Sequence, residues 1–126
     1  MMTYQALVVR LSEQIEEEVM IRIGDVELTG FAHVCPYPIE IGRIYPVELD
    51  PLVFDEYNIQ NVDDDALESI IRTGDEYEYV VTGRFKDGAV KSQGLSFEDE
   101  IFATEFKYLN GTTVTFHIDR LDLCFV

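Results

Sequence analysis

Between Val19 and Gly30 the chain can be read residue against residue. Val19-Met20-Ile21-Arg22-Ile23 and Val26-Glu27-Leu28-Thr29-Gly30 are alternating runs separated by Gly24-Asp25. A two-residue loop of this kind favours a hairpin, because its turn needs positive φ where glycine is cheap. It sets Ile23 against Val26, Ile21 against Leu28 and Val19 against Gly30 on one face. Arg22 then meets Glu27, and Met20 meets Thr29, on the other. A slip of one residue would exchange the two faces, so turn and pattern agree on one register. The second strand continues through Gly30-Phe31-Ala32-His33-Val34-Cys35. A glycine within a strand marks a bulge, a bend or a close backbone approach. With a bulge His33 faces the interior; without one it shares the face of Arg22 and Glu27.

The remaining elements follow from period and punctuation. Residues 3–11 read as a first strand. Tyr45, Val47 and Leu49 share one face of a strand in which Pro46 implies an edge position or a bulge. Ala66, Leu67, Ile70 and Ile71 share a helical face after Asp63-Asp64-Asp65, with Arg72 and Gly74 at the far end, so a helix is expected over 63–73. Residues 78–85 and 89–92 form a hairpin with two registers open. A two-residue Asp87-Gly88 loop opposes Arg84 to Lys91, whereas a three-residue loop opposes Arg84 to Val90. Residues 102–118 read as a last hairpin around Leu109-Asn110-Gly111, pairing Phe106 with Val114 and Phe102 with Ile118. After Ile118 the apolar parity passes to Leu121, Leu123 and Phe125, which requires a bulge or bend at Asp119-Arg120. Seven or eight strands with short, hairpin-like connections imply a mainly β fold. The expectation is one domain over residues 1–126: a small antiparallel β-barrel with OB-fold-like element order, extra strands and one short helix near 63–73.

Charge narrows the partners. The chain carries 25 acidic and 9 basic residues, a formal net charge of -16. Such a field repels phosphate backbones and anionic membranes and attracts basic surfaces. Seven Tyr and eight Phe supply enough aromatic surface for base stacking, but three lysines and six arginines supply little for a phosphate groove, which argues against direct nucleic-acid binding. No apolar run approaches the roughly 20 residues of a membrane span. The first residues lack the basic and apolar regions of a signal peptide, and Cys35 and Cys124 are too few for a disulfide framework, so a reduced, cytoplasmic protein is expected, as monomer or homodimer.

No motif assigns a reaction. His33, Cys35, His117 and Cys124 offer zinc-binding atoms, but without the paired spacing of a zinc site they read as packed thiols and part-buried histidines. Asp63-Asp64-Asp65 lacks the spacing and glycine of an EF-hand. No phosphate loop, nucleophile elbow or H-E-x-x-H occurs, and no cofactor or metal is expected. The leading expectation is a non-enzymatic acidic interaction protein that neutralises or docks a basic protein, as an immunity protein does a nuclease toxin. Its partner-binding residues would be the acidic knots Glu16, Glu17 and Glu18; Asp75 and Glu76; and Glu98, Asp99 and Glu100. A second class is a small-molecule binder or enzyme with its site at the barrel mouth, lined by His33, Arg84 and His117. A third is an OB-fold-like accessory subunit of a nucleic-acid-processing complex.

Overall fold

The computed structural model describes residues 2–74 and 76–126. Strands β1 (Thr3–Leu11), β2 (Glu18–Ile23), β3 (Val26–Val34) and β4 (Ile44–Leu52) come first. They are followed by β5 (Ile59–Asn61), β6 (Ser69–Thr73), β7 (Glu78–Lys86), β8 (Ala89–Ser92) and β9 (Leu95–Glu98). A one-turn helix α1 (Glu100–Thr104) and a 3₁₀ turn (Lys107–Leu109) precede β10 (Thr113–Ile118) and β11 (Arg120–Phe125). The chain is mainly β and its strands form two sheets, not the single barrel expected. Two compact units result, one of residues up to Asp50 with Leu121–Val126, the other Pro51–Arg120.

In the first unit the β2–β3 hairpin has the predicted register, with Ile23↔Val26, Arg22↔Glu27, Ile21↔Leu28 and Val19↔Gly30. Val19, Ile21 and Leu28 are buried, and Gly24 takes φ 59 in the turn. β1, β2, β3, β11 and β4 are successive hydrogen-bonded neighbours, and β4 returns to β1, which closes a ring. Tyr4, Ala6 and Val8 of β1, Val47 and Leu49 of β4, and Leu121, Leu123 and Phe125 of β11 fill it. Each buried aliphatic or aromatic side chain of this kind contributes about 1.5–3 kcal/mol. Pro46 does not mark an edge, because β4 has a neighbour on both sides; its carbonyl accepts from Val126 N at 3.1 Å. β11 runs parallel to β3. Here the role of Gly30 is explicit: a Cβ on it would lie 2.5 Å from the Leu121 carbonyl oxygen and 3.0 Å from Leu123 Cγ. Close backbone approach, not a turn, requires the glycine.

In the second unit β7 is central. β10 pairs along one side of it, while β6 and β8 divide the other, β6 opposite residues 78–82 and β8 opposite 84–86. Gly83 stands at that division, where a Cβ would come within 2.1 Å of the Lys91 carbonyl oxygen. The β7–β8 loop is the two-residue one: Asp87 and Gly88 have φ 53 and 78, as a type I′ turn requires. Arg84 therefore does oppose Lys91. The repulsion is relieved because Arg84 NH1 turns to the Gly111 carbonyl at 2.8 Å and lies 3.7 Å from Asp64. Gln93-Gly94 joins β8 to β9 with a second pair of positive φ angles, 50 and 82.

Two expected elements are replaced. The helix over 63–73 does not form; Ser69–Thr73 is strand β6, paired with β7. Leu67 is 87% exposed, so the helical face had nothing to bury against, whereas Ile70 and Ile71 suit a strand. Glu68 reaches the β8–β9 turn, its Oε1 accepting from Gln93 N at 2.7 Å. The hairpin over 102–118 is also absent: β10 pairs with β7 and β5, and residues 100–104 are α1. Phe102 and Phe106, four apart, satisfy a helical period as well as a strand one. Phe102 is fully buried with its ring 5.5 Å from Phe85, 5.3 Å from Phe116 and 5.9 Å from Tyr57. The parity change at Asp119 is present as a bend: Ile118 ends β10 in one sheet and Arg120 opens β11 in the other.

Gly30→Ala and Gly83→Ala are each expected to lower stability by about 1–3 kcal/mol or more through overpacking against backbone. Gly24→Asn, at an open left-handed position that Asn tolerates, is expected to be near neutral. Urea unfolding midpoints of the three variants check this ordering.

Candidate functional site

At one end of the second sheet the β7–β10 ladder stops at Ile118↔Tyr79, with Glu78 opening β7 and Asp119 in the bend that follows β10. His117 is paired with Val80, which places it on the face of Glu78, two residues along β7. The imidazole sits between the two carboxylates, with Nε2 3.4 Å from Glu78 Oε2 and Nδ1 3.7 Å from Asp119 Oδ1. Side-chain exposure is 30% for His117, 48% for Glu78 and 24% for Asp119, so solvent reaches all three. Backbone holds the constellation in place. Asp119 Oδ2 accepts from Phe54 N at 2.8 Å, Asp119 N donates to the Leu52 carbonyl at 2.9 Å, and His117 N donates to the Asn58 carbonyl at 3.1 Å. Beside it runs a groove of about 160 Å³ lined by Asn58, Gln60, Val80, Thr115, Phe116 and His117. Thr82 Oγ1 and Thr115 Oγ1, 3.2 Å apart, bridge the two strands farther along.

A histidine flanked by two carboxylates has three chemical uses: it stabilises an imidazolium, relays a proton, or shares a cation with its neighbours. Among the described residues these are the ones whose donor atoms gather closely enough for an ion, all within 4.8 Å of one another. Neither cysteine belongs to such a group; both are free thiols.

A family model described as uncharacterised conserved protein UCP019853 matches residues 2–126. The chain belongs to that family. No curated protein and no solved structure matches it.

Of the three residues expected to line one pocket, only His117 borders the groove. Arg84 is on the same sheet face but four positions along β7 from Val80, about 13 Å away. It is spent on Gly111 and Asp64. His33 belongs to the ring and does not face its interior. Its side chain is 63% exposed, and Nδ1 lies 3.9 Å from Asp122 Oδ2, which is itself buried. The acidic knots divide by role. Glu16 and Glu17 are exposed in the β1–β2 connection. Glu18 is half-buried as the first residue of β2, opposite Phe31. Asp75 lies outside the described residues. Glu76 is exposed, and its carbonyl accepts from Arg72 Nε at 2.7 Å. Glu98 closes β9. Asp99 caps α1, accepting from Ile101 N, and also accepts from the Tyr57 hydroxyl. Glu100 begins α1, exposed.

Glu78 and Asp119 were missed as partners of His117. Half of the signal was present, since His117 and Asp119 stand two residues apart. The other half needed the β7–β10 pairing, which the expectation of a 102–118 hairpin had displaced.

On the ring surface, burial pushes the Cys124 thiol up from its ordinary pKa, and the nearby carboxylates of Asp50, Glu48 and Asp122 push it further. Cys35 is exposed. Iodoacetamide at neutral pH is therefore expected to alkylate Cys35 well before Cys124, because the thiolate is the nucleophile. Peptide mass mapping over a labelling time course reads the order directly; faster labelling at Cys124 would contradict it.

Proposed function

We propose that the protein is a non-enzymatic acidic interaction protein whose ring is an OB-fold and whose partner is a basic protein. The ring order β1-β2-β3-β11-β4, with β1 shared between β2 and β4 and β11 parallel to β3, resembles the five-stranded Greek-key OB barrel. On that reading the unit Pro51–Arg120 occupies the connection between the fourth and fifth barrel strands. OB-folds engage their ligands with the face of strands 2 and 3 and with the loops joining strands 1 to 2 and 4 to 5. The observation that carries the proposal is the content of the first of those loops. The β1–β2 connection holds Glu13, Glu16 and Glu17, all exposed and in no ion pair among the described residues.

A ligand loop of this sign suits a basic protein and opposes a phosphate backbone. The net charge of -16 extends the same preference over distance. Steering of this type raises association rates and falls with salt. An immunity-protein-like neutraliser acting in the cytoplasm fits these features, and both thiols are free as that compartment requires. Among the described residues no helix is long and apolar enough to cross a membrane. The groove beside His117, about 160 Å³, is small against the roughly 300–1,000 Å³ of organic-ligand pockets.

The test is capture from lysate of the source organism at low and high salt, with wild type and a Glu13→Gln/Glu16→Gln/Glu17→Gln variant. A basic protein is expected on the wild type at low salt, depleted on the variant and released by salt. Equal capture on both, or none on either, overturns the proposal. Fluorescence titration with single-stranded oligonucleotides at low salt is expected to show no saturable binding; tight binding would favour a nucleic-acid accessory subunit instead.

A further inference from the structure

We propose that Glu78, His117 and Asp119 form a binding site for one divalent transition-metal ion, with Zn²⁺ as its reference occupant. Charge supplies the first argument. Glu78 opens β7 and Asp119 follows the end of β10, and both carboxylates lie against the His117 ring, an arrangement that gathers like charge when both are ionised. The sheet holds them there through Asp119's two backbone contacts, at 2.8 and 2.9 Å. A positive centre between them removes that repulsion, and His117 is the only other donor that the group contains.

Distances supply the second argument. An ion takes one ring nitrogen: Nε2 lies 3.4 Å from Glu78 Oε2, close to the roughly 3.4 Å edge of a tetrahedron with metal–ligand bonds of about 2.1 Å, and one donor atom from each of the three residues falls within 4.8 Å of the others. The widest separation in the group, within 4.8 Å, closes by rotation of Glu78, whose side chain is half exposed. One imidazole and two carboxylates make a mixed donor set. Imidazole selects Zn, Ni, Cu and Fe over the oxygen-seeking Mg and Ca. Three protein ligands leave a coordination position open to solvent, on the side of the small groove whose polar groups, Asn58, Gln60 and Thr115, suit bound water better than an organic ligand.

Two further observations are independent of the donor set. Ligating side chains in metal sites are oriented by outer hydrogen bonds, and Asp119 has one through the oxygen that does not face His117. Thr73 is paired with Glu78 across the β6–β7 ladder, hence on the same sheet face, and its Oγ1 is buried with no hydrogen-bond partner among the described residues. A coordinated carboxylate turning toward the strand pair would give that hydroxyl an acceptor.

Equilibrium binding of Zn²⁺ to the full chain by isothermal titration calorimetry tests the site, with His117→Ala, Glu78→Gln and Asp119→Asn as ligand variants and His33→Ala as control. Circular dichroism establishes that each variant is folded. If Asp119→Asn fails that check, Glu78→Gln, at an exposed position, still decides. Wild type and His33→Ala are expected to take up one ion with equal affinity, and each ligand variant to lose at least about tenfold, by analogy with the loss on removing even outer-sphere partners. Addition of Co²⁺ to wild type is expected to give visible d–d bands that Zn²⁺ abolishes. Equal Zn²⁺ affinity in wild type and His117→Ala would show diffuse binding by the acidic surface and overturn the proposal, as would the absence of saturable uptake at millimolar ion. Equal competition by Mg²⁺ or Ca²⁺ would overturn the assignment to transition metals.

Discussion

The ring depends on how closely two backbones can approach. β11 lies parallel to β3, and at Gly30 the space a side chain would fill is taken by the Leu121 carbonyl and the Leu123 side chain. Parallel neighbours joined by a long connection gain nothing from a local turn, so this pairing rests on burial and hydrogen bonding alone. Leu121, Leu123 and Phe125, each no more than 1% exposed, supply the burial. Gly83 repeats the device in the second unit, where the side of β7 passes from one partner strand to another. In both places a missing Cβ is the structural content of the residue.

Local chemistry made some of this legible in advance. The β2–β3 register could be read because Gly24-Asp25 fixed the loop and every opposed pair agreed with it. The bounds of β1 and the bend at Asp119 followed from apolar parity. Failures came where two periods fit one pattern. Ala66, Leu67, Ile70 and Ile71 mark a helical face, but the run Ile70-Ile71 is equally a strand, and β7 offered it a ladder. Phe102 and Phe106 fit strand parity and helical spacing alike; the rings of Phe85, Phe116 and Tyr57 packed on Phe102 decided the matter. Neither contest is resolvable without the partner that the segment packs on. The candidate site was half visible for the same reason, since Glu78 joins His117 only through a strand pairing between residues about forty positions apart.

The acidic residues of this chain are not one population. Asp99 is occupied by a helix end and the Tyr57 hydroxyl, Asp64 faces Arg84, and Glu68 holds the β8–β9 turn. Glu78 and Asp119 bracket an imidazole. Glu13, Glu16 and Glu17 do none of these things and lie in solvent. Counting charge gives the sign of the far field, whereas the fold determines which carboxylates are left to meet another molecule.

The order of the strands along the chain also bears on synthesis. β1 to β4 emerge first, but the strand that lies between β3 and β4 emerges only after the seventy residues of Pro51–Arg120. At usual elongation rates of about 5–20 residues per second, that delay is roughly 4–14 s. For that interval β3 and β4 present open edges, the condition under which nascent β-chains join one another. Like charge among the chains, carried in part by Glu13, Glu16 and Glu17, opposes such association.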